Sequence, residues 1–365
     1  DSPLIEQFKQ QLVALKIDPL DKVLQKQLNS IDSLVSPFGR LINQARELSK
    51  NYHFNEALQL YRQIFNNPIA DQQLHIAYGW TLYRFSKYLW DANPKQNVNQ
   101  VKRLLNEYFS LNTEKPSLLH TCILQLAKNL ARAGNLRILP FFRIWGNHFR
   151  EEDYKPSKDQ EGKIYPSLAE SILQMAGKEA IHANDPQLLI FIQPYLEYAA
   201  EQFKDNIWFK YYLAKSLLAL GEQQQAKAFC INVCKAKQSE SWAWGLLAEV
   251  YRNTDITMTI ACYCKALLCK NEEMLKVKLR KNLAEILIAQ KEFSKAKFEL
   301  QTILDHSERA NQYVLNMTQQ DWFHQTDMPT SNQAFYIEYA DQVDQIIYEN
   351  LVWLNANMGE KFTIQ

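Results

Sequence analysis

Glycine and proline are scarce in this chain, 9 and 12 among 365 residues, against average usage of about 7% and 5%. So few turn formers exclude a fold of many short strands and favour long helices. No run of about 18 apolar residues is present to cross a bilayer. The opening Asp1-Ser2-Pro3 has neither a basic start nor an apolar stretch of signal-peptide type. The expected setting is therefore cytoplasmic, with no membrane partner. The nine glycines stand too far apart to form G-x-G-x-x-G or G-x4-G-K-[ST], which excludes nucleotide binding through those motifs. There is no H-E-x-x-H and no C-x2-C, and none of the seven histidines pairs locally with Ser, Cys or a carboxylate in a catalytic motif. Cys230, Cys234, Cys262 and Cys264 fall in segments that read as helix, at spacings that suit burial and with no histidine nearby. They read as reduced core thiols rather than as zinc ligands or a disulfide framework. No catalytic, cofactor or metal residue is expected, and the chain is not read as an enzyme.

What the sequence does have is an echo. Leu41, Ala45, Leu48, Phe54, Ala57, Tyr61, Ile64 and Pro68 read as two short helices joined by a tight turn. The same alternation of small and large apolar residues returns with Leu213, Ala214, Leu217, Gly221, Ala226 and Cys230, and again with Leu283, Ala284, Leu287, Phe293, Ala296, Leu300 and Ile303. Ala45, Gly79, Ala127, Ala214, Ala248 and Ala284 each occupy the middle of a first helix, where a small residue lets a partner helix approach closely. Ala45 and Gly79 are separated by 34 residues, and so are Ala214 and Ala248. Units of this size cannot bury their apolar faces alone and must stack.

Between Ser241 and Cys269 the spacing is more specific. Trp244, Leu247, Ala248 and Tyr251 reproduce W-x2-L-G-x2-Y with Ala for Gly, and Tyr263 and Ala266 follow on the next helix. This resembles the tetratricopeptide (TPR) repeat. The resemblance covers residues 207–304 and 38–79 well and 117–133 fairly. It implies an all-α fold, a TPR-like α-α superhelix or solenoid of antiparallel helix pairs, interrupted in the middle.

The chain accordingly divides into an N-terminal helical cap (1–37), a first TPR-like block (38–146), a charged and mobile insertion (147–166), a second TPR-like block (167–304) and a C-terminal helix and tail (305–365) that could open a further domain. Within these, a helix is expected from Asp71 to Trp90, a loop from Asp91 to Val98, and a helix from Ser117 to Ala133 ending at Gly134. Pro140 should break the apolar stretch 136–145, and Pro194 should kink or restart a helix over 188–203. Residues 307–331 read as a loop, 332–350 as a helix, and the final Lys361-Phe362-Thr363-Ile364-Gln365 alternates like the start of a strand.

Charge is segregated. The net formal charge of +1 hides blocks of +8 over residues 72–150, −6 over 151–206, +6 over 207–304 and −7 over 305–365. A wall of one sign concentrates an oppositely charged partner. In TPR-like repeats the first helices line the groove, so the resemblance puts Arg46, Lys50, Trp80, Arg84, Lys128, Arg132, Trp208, Tyr211, Lys215, Trp242 and Arg252 on or near it. Lys128 and Arg132 lie one helical turn apart on a shared face. Family members that hold a peptide carboxylate use Lys and Asn on successive first helices. The equivalent places here are Arg46, Trp80, Lys128, Lys215, Glu249 and Glu285, with no Asn, a departure that argues against that mode. The expected function is a non-enzymatic scaffold that binds an acidic protein or peptide through a basic, aromatic-lined groove. The alternative is a nucleic-acid-associated protein using the basic block 84–150.

Overall fold

The computed structural model describes Gln7 and residues 39–65, 72–306 and 312–348. The expected N-terminal cap (apart from Gln7), Pro68 and the terminal KFTIQ lie outside the described residues. Among those described the protein is all-helical, with seventeen α-helices and a single two-stranded hairpin. They are α1 (Gly39–Lys50), α2 (Phe54–Phe65), α3 (Gln72–Ala92), α4 (Pro94–Phe109), α5 (Leu118–Arg132), α6 (Ile138–Trp145), β1 (Ser157–Lys158) and β2 (Ile164–Tyr165). There follow α7 (Leu168–Ala183), α8 (Pro186–Gln202), α9 (Ile207–Ala219), α10 (Gln223–Ala236), α11 (Ser241–Tyr251), α12 (Ile256–Leu268), α13 (Glu273–Ala289), α14 (Phe293–His306), α15 (Gln312–Thr318), α16 (Asp321–Gln325) and α17 (Gln333–Ile347). The chain divides into two compact units, residues 1–176 and 177–365.

Helices pack chiefly on their neighbours in sequence: α1 on α2, α3 on α4, α9 on α10, α11 on α12 and α13 on α14. Alternate helices also touch, α1 with α3, α3 with α5, α9 with α11 and α11 with α13. The small residues make this possible. Ala45, Gly79, Ala127, Ala214, Ala248 and Ala284 are all buried, and a Cβ on Gly79 would come within 2.7 Å of Leu119 Cδ2. Around them the core is filled by Tyr61, Tyr78, Tyr108, Trp145, Trp244 and Tyr263.

Local sequence explains most boundaries. Side chains of Asn93, Ser117, Asp185, Asn206 and Asp255 cap α4, α5, α8, α9 and α12 by accepting from backbone N–H groups of the first turn. Helices α1, α5, α9 and α13 end in one shared turn. A residue with positive φ (Tyr52, Gly134, Gly221, Lys291) is followed by an N–H that bonds five residues back, to Leu48, Leu130, Leu217 and Leu287. This is the Schellman arrangement.

Four expectations need correction. The loop expected over Asp91–Val98 is the single residue Asn93, because Asn93 caps α4 and Pro94 supplies a φ ready for its first turn. Pro140 does not break its segment. It is the third residue of α6, where no intrahelical donor is lost. Pro194 does not restart the helix but sits inside an uninterrupted α8. It is exposed, and so is Ile190, whose carbonyl loses its helical donor, so water can satisfy that group. Residues 307–331 are not all loop: α15 and α16 pack there, with Val314 and Phe323 in a core cluster with Leu300 and Ile303.

The charged insertion is built rather than featureless. It contains the hairpin β1–β2 and a 3₁₀ turn at Glu151–Tyr154. The buried Asp153 carboxylate accepts from Thr121 Oγ1 of α5 at 2.8 Å, from Arg150 N at 2.9 Å and from Arg150 Nη2 at 3.0 Å.

Candidate functional site

In the second unit, alternate helices α9, α11 and α13 bring their residues to one cleft of about 200 Å³. Tyr211 and Lys215 come from α9, Trp242, Leu246 and Glu249 from α11, and Leu275, Lys278, Leu279 and Asn282 from α13. Gly245 forms the place of closest approach, since a Cβ there would stand 2.4 Å from Leu279 Cδ2. One end of the cleft is aromatic. Trp208 and Trp242 stack with centroids 5.4 Å apart at 16°, and Tyr211 meets Trp242 edge-on at 5.2 Å and 85°. Such offset and edge contacts hold the rings as a rigid platform.

The charged end has its own balance. Burial pushes the Lys215 ammonium below the ordinary lysine range, the nearby Lys278 adds to this, and Glu249 opposes it. An anion placed between the two lysines would relieve both effects. Glu249 itself is committed: it accepts from Tyr263 Oη at 3.1 Å, and Asn282 Nδ2 donates to that same hydroxyl at 3.1 Å. Arg252 does not line the cleft; it pairs with Glu249 and Glu285, each at 3.4 Å. Leu275, strongly exposed, forms an apolar edge. Residues 207–342 match the sequence model of a family described as a domain of unknown function (DUF7017). The whole cleft lies inside the matched segment. No curated protein matches the chain.

The remaining expected residues belong to the first unit, on the successive helices α1, α3 and α5. Lys50 and Arg84 share a separate cleft of about 500 Å³ with Tyr83. Arg46 is half-buried and donates to Asn43 Oδ1 at 3.3 Å, and Trp80 packs edge-on against Tyr83 at 5.9 Å. Lys128 is only 8% exposed. Burial lowers its pKa to about 8, helped by the charge of Arg132 one turn away, so near neutral pH it is a buried cation with little exposed surface.

Sequence reasoning placed Trp208, Tyr211, Lys215 and Trp242 together but missed the contribution of α13. The spacing of Leu275, Lys278, Leu279 and Asn282 is that of one helix face. That signal was present, but nothing in it separates a groove face from a core face. The aromatic residues Tyr52, Phe54 and Tyr88 around Lys50 and Arg84 were missed for a different reason. Tyr52 lies in a turn, Phe54 opens α2 and Tyr88 is near the end of α3, and only Phe54 belongs to the repeat pattern.

Proposed function

We propose that the protein is a non-enzymatic scaffold of TPR-like type, which holds a protein or peptide of acidic character in the cleft of α9, α11 and α13. On this reading the helix pairs form two superhelical blocks, 38–146 and 167–304, with the hairpin segment between them, and the first helix of each pair faces the partner. The observation that carries it is the convergence of Tyr211 and Trp242, on which Trp208 stacks, with Lys215 and Lys278 in one cleft. Partly exposed aromatic rings beside desolvated charge, which a partner would cover, are the composition of binding hot spots. A partner side chain of apolar type would lie against Trp242 and Leu275, and a neighbouring carboxylate would meet the two ammonium groups.

Affinity purification from the native host, with and without nuclease, tests this. The scaffold reading expects a protein that survives nuclease and is lost from Lys215→Glu and Trp242→Ala variants. If association is unchanged by both variants and by about 0.5 M salt, which compresses screening to a few ångströms, the groove reading fails. If nuclease abolishes it, the basic block 84–150 becomes the better explanation.

A further inference from the structure

We propose that the cleft between the α1–α2 turn and the C-terminal half of α3 binds a nucleoside phosphate. This site is separate from the groove of the second unit and does not depend on it. Its volume is about 500 Å³, within the range of roughly 300 to 1,000 Å³ typical of small-ligand sites.

The walls select the chemistry. Tyr52, Phe54 and Tyr88 form a three-ring box with centroids 5.6 to 5.8 Å apart. Phe54 is buried and stacks on Phe85, whereas Tyr52 and Tyr88 are 69% and 49% exposed, so a planar guest would lie on the open faces of the two tyrosines. A ring of this kind also suits a quaternary ammonium, but here its rim carries Lys50, Arg84 and Lys87 against two acids, Asp91 and the Glu47 paired with Lys50, which leaves Arg84 in excess. A cation would be repelled, whereas a phosphate monoester carries close to two negative charges near neutral pH. Arg84 makes no ion pair with any described residue. Lys50 and Lys87 are held in place by exposed partners, Glu47 and Asp91. Exposed pairs of this type are worth little and yield readily to a doubly charged ligand. A displaced Asp91 carboxylate is then an acceptor suited to sugar hydroxyls.

Two further observations point to a ligand. Ser49 lines the cleft with 2% of its surface exposed, and its Oγ is buried without a hydrogen-bond partner, not even the carbonyl one turn back that a helical serine ordinarily uses. A buried hydroxyl left unpaired is costly, and a phosphate oxygen in the cleft would satisfy it. Tyr52 has φ +65° at the cap position that is glycine in the equivalent turns at Gly134 and Gly221. A bulky residue there carries strain. The strain places the ring at the mouth of the cleft, against Phe54 and Tyr88.

The test is calorimetric titration of the full chain with adenosine 5′-monophosphate, adenosine, inorganic phosphate and an adenylate octamer. The monophosphate should saturate, with adenosine and phosphate each weaker by about tenfold or more. Tyr88→Ala and Arg84→Gln should each weaken it at least about fivefold, the scale of one lost stacking or charged contact. Tyr52→Gly keeps the cap and relieves its strain, so it should melt at an equal or higher temperature while losing affinity. That combination separates a binding role from a structural one. An octamer binding far more tightly than the monophosphate identifies a strand as the source of the nucleotide, and equal affinity identifies the free nucleotide. The proposal is overturned if monophosphate and octamer fail to saturate up to about 5 mM, if phosphate alone binds as well as the monophosphate, or if affinity is unchanged in both tyrosine variants.

Discussion

Lys128 carries an amine into the packed face of α5, where burial and Arg132 lower its pKa to about 8, against about 10.4 in an unfolded chain. Below pH 8 both states hold the proton and the penalty of the buried charge is fully present. Between about pH 8 and 10.4 the folded protein releases its proton first, so stability rises with pH across that window. Lys128→Met should therefore stabilise the protein by about 2 kcal/mol at neutral pH, and the gain should shrink towards zero near pH 10. Urea denaturation across this range measures it, and a gain independent of pH would assign the effect to packing instead. His120 works in the acid range. Its ring stacks on Trp145 at 4.4 Å, Nε2 donates to the Trp145 carbonyl at 3.0 Å, and Nδ1 faces the Tyr108 hydroxyl at 2.9 Å. Since a carbonyl only accepts, the proton is on Nε2, and Nδ1 accepts from Tyr108. Burial holds the pKa at about 4. From about pH 6.5 down to 4 the unfolded chain takes up a proton that the folded one refuses, so stability should fall by about 3 kcal/mol over that interval. The His120 ring resonance should stay at its neutral position at pH 5 while the melting temperature drops.

Helix ends supply a cleaner comparison, because four of them share one backbone turn and differ in the residue that makes it. Gly221 has φ +81° and open space around a Cβ, so Gly221→Ala should cost about 1 kcal/mol from backbone conformation alone. Lys291, at φ +63°, is the converse case, and Lys291→Gly should gain up to about 1 kcal/mol. Chemical denaturation of the pair measures both, and equal signs would rule out the shared strain. The same turns show what was legible beforehand. Gly134 and Gly221 announce their helix ends in the sequence, while Tyr52 and Lys291 do not, because neither residue type advertises a positive φ. The small residues at positions 45, 79, 127, 214, 248 and 284 could be read because burial without a large side chain leaves a regular trace. Residues 307–331 could not. Helices α15 and α16 are too short to display a period, and they form because Val314, Phe323 and partly buried Trp322 pack against α14 and its neighbours.

At the scale of the whole chain, the cleft was legible only where repeats made it so, and its support was not. Arg280 lies on α13, the helix that also presents Leu275, Lys278 and Asn282 to the cleft. Its guanidinium meets the fully buried Glu299 of α14 at 2.6 Å, donates to Tyr336 Oη of α17 at 3.0 Å, and reaches Glu273 through Nε at 2.9 Å. Asn332 Nδ2 donates to the other Glu299 oxygen at 2.7 Å, and Tyr336 donates there as well. Lys265 and Asp344, 2.7 Å apart, tie α12 to the same last helix. These contacts join residues as far apart as 265 and 344, and no local pattern signals them. Removing one member of such a buried pair strands the other. Glu299→Ala should cost about 3 to 5 kcal/mol, whereas Arg280→Met combined with Glu299→Leu should recover much of that loss by replacing charge with apolar packing. The single variant should also speed amide exchange over 333–347, since α17 loses its anchor. If α17 braces the helix that forms the cleft floor, Glu299→Ala will weaken partner capture without altering any cleft residue, and the apolar double variant will restore it. Restored stability without restored capture would show instead that the charged network sets the position of α13, and not merely its attachment.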